Sequence, residues 1–232
     1  MSTSTTTTRP RRPAAVPADE RFAVRDATWE LYDHLTEALT EGAGIRVAFD
    51  GKDIEIMTLG PIHKRIKELI ALFVNLVLLE LGIDFEGLGS TTWKRPEVSR
   101  GLEADLCFLF DADKLVAHAT AVARKSNHVA DYPNPDLAIE IDISPSKIDR
   151  PAIYAALKVP EIWRFEDESV LIEQLGPDGT YSEVESSRYL HVRRDEVVRW
   201  LIEEDSRNKG AWASRLREWV QVELKPRASR GA

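Results

Sequence analysis

Apolar positions fall into two rhythms along the chain. From Ala27 to Thr40, Trp29, Leu31, Leu35, Ala38 and Leu39 line one side of a helix, and Gly42 and Gly44 stop it. Two short strands follow, Ile45 to Phe49 and Asp53 to Met57, flanking the hairpin signal Asp50-Gly51. In the second of them Ile54 and Ile56 alternate with Asp53 and Glu55. Pro61 then opens the longest helical pattern. Ile62, Ile66, Leu69, Ile70, Phe73, Val74, Val77, Leu78 and Leu81 recur at three- and four-residue spacing up to Gly82. A helix this apolar predicts burial against a sheet, while His63, Lys64 and Lys67 crowd its first two turns.

The second half reads as strands broken by helices. Thr91 to Lys94, Leu102 to Phe110 and Leu137 to Ile143 are strand-like, with a connecting helix over Ala112 to Arg124. A short helix over Ile148 to Leu157 precedes strands at Glu161 to Phe165, Val170 to Leu175 and Tyr181 to Val184, with turn chemistry at Gly176 to Gly179. Helices over Arg194 to Glu204 and Gly210 to Glu223 close the pattern. This order predicts one α/β or α+β domain over residues 19–224. Residues 1–18 are Ser/Thr-rich and Pro-containing, and read as a solvated tail despite Arg9, Arg11 and Arg12; residues 225–232 read as a frayed end.

Composition narrows the function classes. With 232 residues and 43% hydrophobic residues, the chain can build a real core. A formal charge of −8 argues against coating nucleic acid through bulk positive charge, but leaves room for a nuclease that uses a metal and a few basic residues. One cysteine, Cys107, allows no internal disulfide and suits a reducing, cytoplasmic setting. Leu69 to Leu81, interrupted by Asn75 and Glu80, is too short and too polar to span a membrane, which takes about 20 apolar residues.

The candidate chemistry lies on two strands. In Leu102-Glu103-Ala104-Asp105-Leu106-Cys107-Phe108, alternation puts Glu103 and Asp105 on one face and Leu102, Leu106 and Phe108 on the other. In Leu137-Ala138-Ile139-Glu140-Ile141-Asp142-Ile143, Glu140 and Asp142 oppose four apolar side chains. Paired, these strands would gather up to four carboxylates. Such a cluster is either a wetted, salt-bridged strand face, with Lys147 and Arg150 as partners, or a site whose mutual repulsion a divalent cation offsets. Tyr154, Trp163 and Trp200 read as core or interface. The apolar residues of the terminal helices (Trp200, Leu201, Trp212, Leu216, Trp219, Val220) form either a homodimer interface or a cap on their own core.

The run Gly101 to Phe108, the run Pro135 to Ser144, and Ile148-Asp149-Arg150-x-x-Ile153-Tyr154 leading to Val159-Pro160-Glu161-Ile162-Trp163 resemble the Uma family of restriction-endonuclease-like proteins, within the PD-(D/E)xK nuclease-like superfamily. The third block is the most specific, and the likeness extends from about residue 25 to 200. It implies a restriction-endonuclease-like α/β core, a central mixed β-sheet flanked by helices. It implies Asp105 and Glu140 as ligands of Mg²⁺ or Mn²⁺, and DNA as partner. Asp142 stands where many superfamily members carry Lys, and Arg150 matches the position to which the family moves that Lys. Arg is permanently charged: it can stabilise a phosphate but cannot act as a base. Ala104 stands where Pro is usual. His63 joins the candidates because the first helix of such folds often supplies a polar group.

Two readings follow. The first is a Mg²⁺-dependent endonuclease hydrolysing DNA phosphodiester bonds, with Asp105 and Glu140 holding the metal, Asp142 assisting and Arg150 stabilising charge on the phosphate. The alternative is a catalytically impaired nuclease fold serving as a binding or assembly module.

Overall fold

The computed structural model describes residues 19–39, 44–166 and 169–230. β1 (Glu20–Val24), β2 (Ile45–Phe49), β3 (Ile54–Thr58), β5 (Thr92–Arg95) and β6 (Arg100–Glu103) form an antiparallel sheet in the order β1-β3-β2-β6-β5. β4 (Glu86–Gly89), β7 (Leu106–Leu109), β8 (Leu137–Asp142), β9 (Glu161–Glu166), β10 (Ser169–Leu175) and β11 (Tyr181–Glu183) form a mixed sheet in the order β11-β10-β9-β8-β7-β4. Its one parallel pair, β8 and β9, is joined by a crossover through α4 (Arg150–Ala156), as a parallel pair requires.

The mixed sheet sits between two apolar layers. On one face lies α2 (Pro61–Leu81), whose Leu69, Ile70, Phe73, Val74 and Val77 pack with Leu106, Phe108, Ile139, Ile141 and Trp163. On the other lies α4, with Ile153, Tyr154 and Leu157 against Cys107, Ala138 and Ile162. Gly82 ends α2 in the left-handed conformation, at φ 74°. α1 (Trp29–Ala38) covers the antiparallel sheet; its Tyr32 ring lies 5.3 Å from Trp29 and 5.7 Å from Phe49. α3 (Ala112–Ala123) connects β7 towards β8. This is the expected α/β core, a central mixed sheet flanked by helices, with a second sheet beside it.

Several expectations are corrected. The single strand Leu102 to Phe110 is two strands in two sheets, because the chain crosses between sheets at Ala104 and Asp105. Alternation does not carry through that crossing, so Leu102 joins Ala104 and Cys107 in one apolar cluster while Leu106 and Phe108 join the other. β1 and β4 were not evident in the pattern. The closing helices, α5 (Arg194–Val198) with a π-helical turn to Glu203, and α6 (Lys209–Trp219) with another to Leu224, bury Trp200, Trp212, Leu216, Trp219 and Val220 in the chain's own core. These residues therefore cap this chain rather than present a dimer face. The end read as frayed forms α7 (Lys225–Ala228), where Arg227 pairs with Glu196 at 2.6 Å. The tail over residues 1–18 and the helix stop at Gly42 lie outside the described residues. Among those described, no helix is long and apolar enough to cross a membrane.

Candidate active site

Asp105 sits at the point where the chain leaves the first sheet for the second. β7 pairs with β8 through Leu106 and Ile139, and one more step of that antiparallel register sets Asp105 opposite Glu140. Asp105 Oδ2 accepts the backbone N–H of Ile141 at 2.8 Å, which fixes the crossing. Both acids are buried, at 0% and 1% exposure.

Each acid heads a chain of alternating charges. Asp105 Oδ1 contacts Arg46 Nη1 and, at 2.5 Å, His63 Nε2; His63 Nδ1 lies 2.7 Å from Asp19 Oδ2, and Arg46 Nε lies 3.3 Å from Glu103. Glu140 Oε1 accepts from Tyr154 Oη and, at 2.6 Å, from Arg150 Nη2. Arg150 Nη1 is 3.5 Å from Glu55, and Arg21 links Glu55 at 2.7 Å to Asp142 at 2.6 Å. Both chains begin and end on carboxylates. The Glu140 chain holds three acids, Glu140, Glu55 and Asp142, against two cations, Arg150 and Arg21.

The field shifts the ionisable groups as physics requires. Burial alone would lower His63, but its contacts to Asp105 and Asp19 outweigh that and raise it above the usual imidazole value. Burial alone would raise Asp105; His63, Arg46 and the Ile141 N–H instead pull it down to about 2. Glu140 goes the other way. Burial raises it, and Asp105 and Asp142 add to that, against the opposing pull of Arg150 and Tyr154. Of two adjacent acids, one is therefore firmly ionised and the other is short of positive charge. Cys107, fully buried on β7, is pushed up to about 12 by burial and is an inert packing residue.

A divalent cation fits this arrangement on charge and donor chemistry. The Glu140 chain holds one more acid than cations, and the donors on offer at Asp105 and Glu140 are hard carboxylate oxygens. Both of Glu140's hydrogen bonds go to Oε1. No group of three His, Cys, Asp or Glu side chains is arranged to hold a metal among the described residues. Asp105 and Glu140 would be the two carboxylates to hold such an ion, which would keep waters and take substrate oxygens, as Mg²⁺ does.

The structure brings five of the expected residues into two neighbouring charge chains: Asp105 and His63 in one, and Glu140, Arg150 and Asp142 in the other. Asp142 is held by Arg21 rather than turned to the acid pair, and Glu103 reaches Arg46. Lys147 contributes its backbone N–H to Glu55 at 2.6 Å. Five participants escaped the sequence pattern: Asp19, Arg21, Arg46, Glu55 and the Tyr154 hydroxyl. Glu55 alternates with isoleucines and reads as solvent-facing, yet it is 1% exposed. The only signal for it was an acid on a strand flanked by apolar neighbours.

The mixed sheet flanked by helices is consistent with a restriction-endonuclease-like fold. The chain belongs to the Uma2 family, described as “Putative restriction endonuclease”, whose model matches residues 29–202. No curated protein matches the chain.

Proposed function

We propose that the protein is a Mg²⁺- or Mn²⁺-dependent endonuclease that hydrolyses DNA phosphodiester bonds, with Asp105 and Glu140 holding the ion. The observation that carries this reading is the pair of buried acids at the end of the β7–β8 pairing, where Asp105 accepts the N–H of Ile141, the residue after Glu140. A bound divalent ion would activate water and polarise a phosphoryl oxygen. The chain's own residues supply the rest. His63, held between Asp19 and Asp105, fixes the orientation of Asp105. Tyr154 and Arg150 fix Glu140. Arg150 Nε makes no hydrogen bond, and the residue lines a cavity of about 440 Å³ beside Asp142, so it has a donor left for a phosphate oxygen. The test is nicking of supercoiled plasmid by the purified chain with Mg²⁺ or Mn²⁺. Cleavage lost in Asp105→Ala supports the reading, and wild-type cleavage no greater than that of the variant removes it.

One observation favours the alternative of a binding module. The acids are already capped by Arg46, His63 and Arg150, and neither Asp105 nor Glu140 is more than 1% exposed. Titration calorimetry with Mn²⁺ separates the two: binding abolished in Glu140→Ala supports the metal site, and no binding to the wild type supports the module.

A further inference from the structure

The ion pairs around the acids consume Arg21, Arg46 and Arg150. Two neighbouring cations remain unspent. Lys64 and Lys67, in the first two turns of α2, form no ion pair among the described residues. Both line a cleft of about 310 Å³, together with Arg46, Ser90, Glu68 and Glu103. The cleft is tied to the Asp105 backbone through Ser90: Lys67 Nζ donates to Ser90 Oγ at 2.5 Å, Arg46 Nη2 donates to the same oxygen at 3.1 Å, and Ser90 Oγ donates to the Asp105 carbonyl at 3.2 Å.

A second observation points to an anionic ligand. Arg46 is 3% exposed and lines the cleft, and its Nε, 3.3 Å from Glu103 Oε1, makes no hydrogen bond. Glu103 balances its charge, but a buried N–H that is not hydrogen-bonded is costly unless something else supplies the acceptor. A tetrahedral oxyanion in the cleft would supply it. The same oxyanion would take charge from Lys64 and Lys67, and it would lie beside the unpaired N–H groups that open α2, whose N-cap, Gly60, offers no side-chain cap.

We infer that this cleft binds a backbone phosphate of the DNA strand next to the one that reaches Asp105 and Glu140. The inference rests on the nuclease reading, and it names the surface by which the substrate is gripped. Two lysines at phosphate positions explain how an acidic chain of net charge −8 could hold DNA, through local cations rather than overall charge.

The experiment is fluorescence anisotropy of a labelled 20-base-pair duplex in EDTA, from 0.05 to 0.2 M salt, so that no metal contributes. Each phosphate contact adds about 0.9 to the slope of log affinity against log salt. Lys64→Gln with Lys67→Gln should therefore lower that slope by about 1.8, weakening binding by roughly 60-fold at 0.1 M salt. Lys64→Arg with Lys67→Arg should retain it. Lys52→Gln with Lys125→Gln, an equal loss of charge at exposed lysines elsewhere, should leave it unchanged. Matching thermal melts show that the variants are folded. If the wild type binds DNA and the Lys64/Lys67 variant matches it, or if the Lys52/Lys125 control weakens equally, the cleft assignment is overturned while the nuclease reading stands. If the wild type binds no DNA, the cleft assignment falls, and plasmid nicking with Mg²⁺ or Mn²⁺ decides the nuclease reading separately.

Discussion

Arg150→Met tests whether the charge network is a structural necessity. Arg150 is 3% exposed and joins Glu140 at 2.6 Å to Glu55 at 3.5 Å, and both acids are 1% exposed. Its Nη2 also donates to the Glu103 carbonyl at 3.3 Å. Methionine fills much of the same volume but leaves Glu140 with only the Tyr154 hydroxyl. Removing one partner of a buried pair costs about 3–5 kcal/mol, because the other charge stays buried and uncompensated. With a urea dependence of about 3 kcal/mol per molar for a chain of this size, the unfolding midpoint should fall by roughly 1–1.7 M. Adding Glu140→Gln removes the stranded charge while keeping an acceptor for Tyr154. The double variant should therefore be more stable than Arg150→Met alone. Urea unfolding followed by tryptophan fluorescence measures both. Arg150→Met within about 1 kcal/mol of wild type, the range of exposed pairs, would refute the reasoning. So would a double variant no more stable than the single one.

Mn²⁺ at a hundred times its dissociation constant should add about 2.7 kcal/mol to the unfolding free energy and raise the melting temperature, with no rise in Asp105→Asn; an equal rise in both would show the ion binding elsewhere. His63 is raised above its ordinary value of 6.5 in the folded state. Its stabilisation is therefore complete below 6.5 and is lost as pH rises through the folded-state value, since the unfolded chain releases its proton first. Urea midpoints between pH 6 and 9 should decline for wild type and flatten in His63→Asn, whereas parallel curves would remove His63 as the cause. Gly101→Ala would set a Cβ 2.3 Å from the Tyr32 hydroxyl, which has no hydrogen-bond partner to give up but is fully buried under its own helix, α1. Overpacking of this kind costs about 1–3 kcal/mol, and an unchanged melting temperature would show that Tyr32 moves freely.

The elements with a strong rhythm were legible. α2 and β8 follow from the spacing of their apolar residues, and Asp50-Gly51 marks the β2–β3 turn with Gly51 at φ 90°. The two central acids were legible because they interrupt apolar strands. The chain crossing at Ala104 was not, because a strand that changes sheets keeps its local extended pattern while its two halves take different neighbours. The cations were not legible for a related reason. Arg21 in β1 and Arg46 in β2 look like the solvent-facing positions of short strands. Only the packing of two sheets at one edge buries them, at 2% and 3% side-chain exposure. A single-residue alternation cannot separate a face that meets water from one that meets another sheet's carboxylates.

β1 shows what that difference is worth. Asp19 and Arg21 precede residues 29–202, the part that matches the family, yet they complete both charge chains. Arg21 reaches Glu55 on β3, Asp142 on β8 and, at 3.1 Å, the Ser144 hydroxyl, so one side chain ties the two sheets together. Arg25, four residues along, pairs with Asp53 at 2.5 Å but is 58% exposed. Geometry alone would rank the two pairs alike, but burial does not. Arg21→Met should cost about 3–5 kcal/mol in urea unfolding, since it strands Asp142 and leaves Glu55 only Arg150, at 3.5 Å, as a charged partner. Arg25→Met should cost no more than about 1 kcal/mol. Equal losses would mean that the sheets are held together by apolar packing alone, and that β1 is dispensable to the arrangement of Asp105 and Glu140.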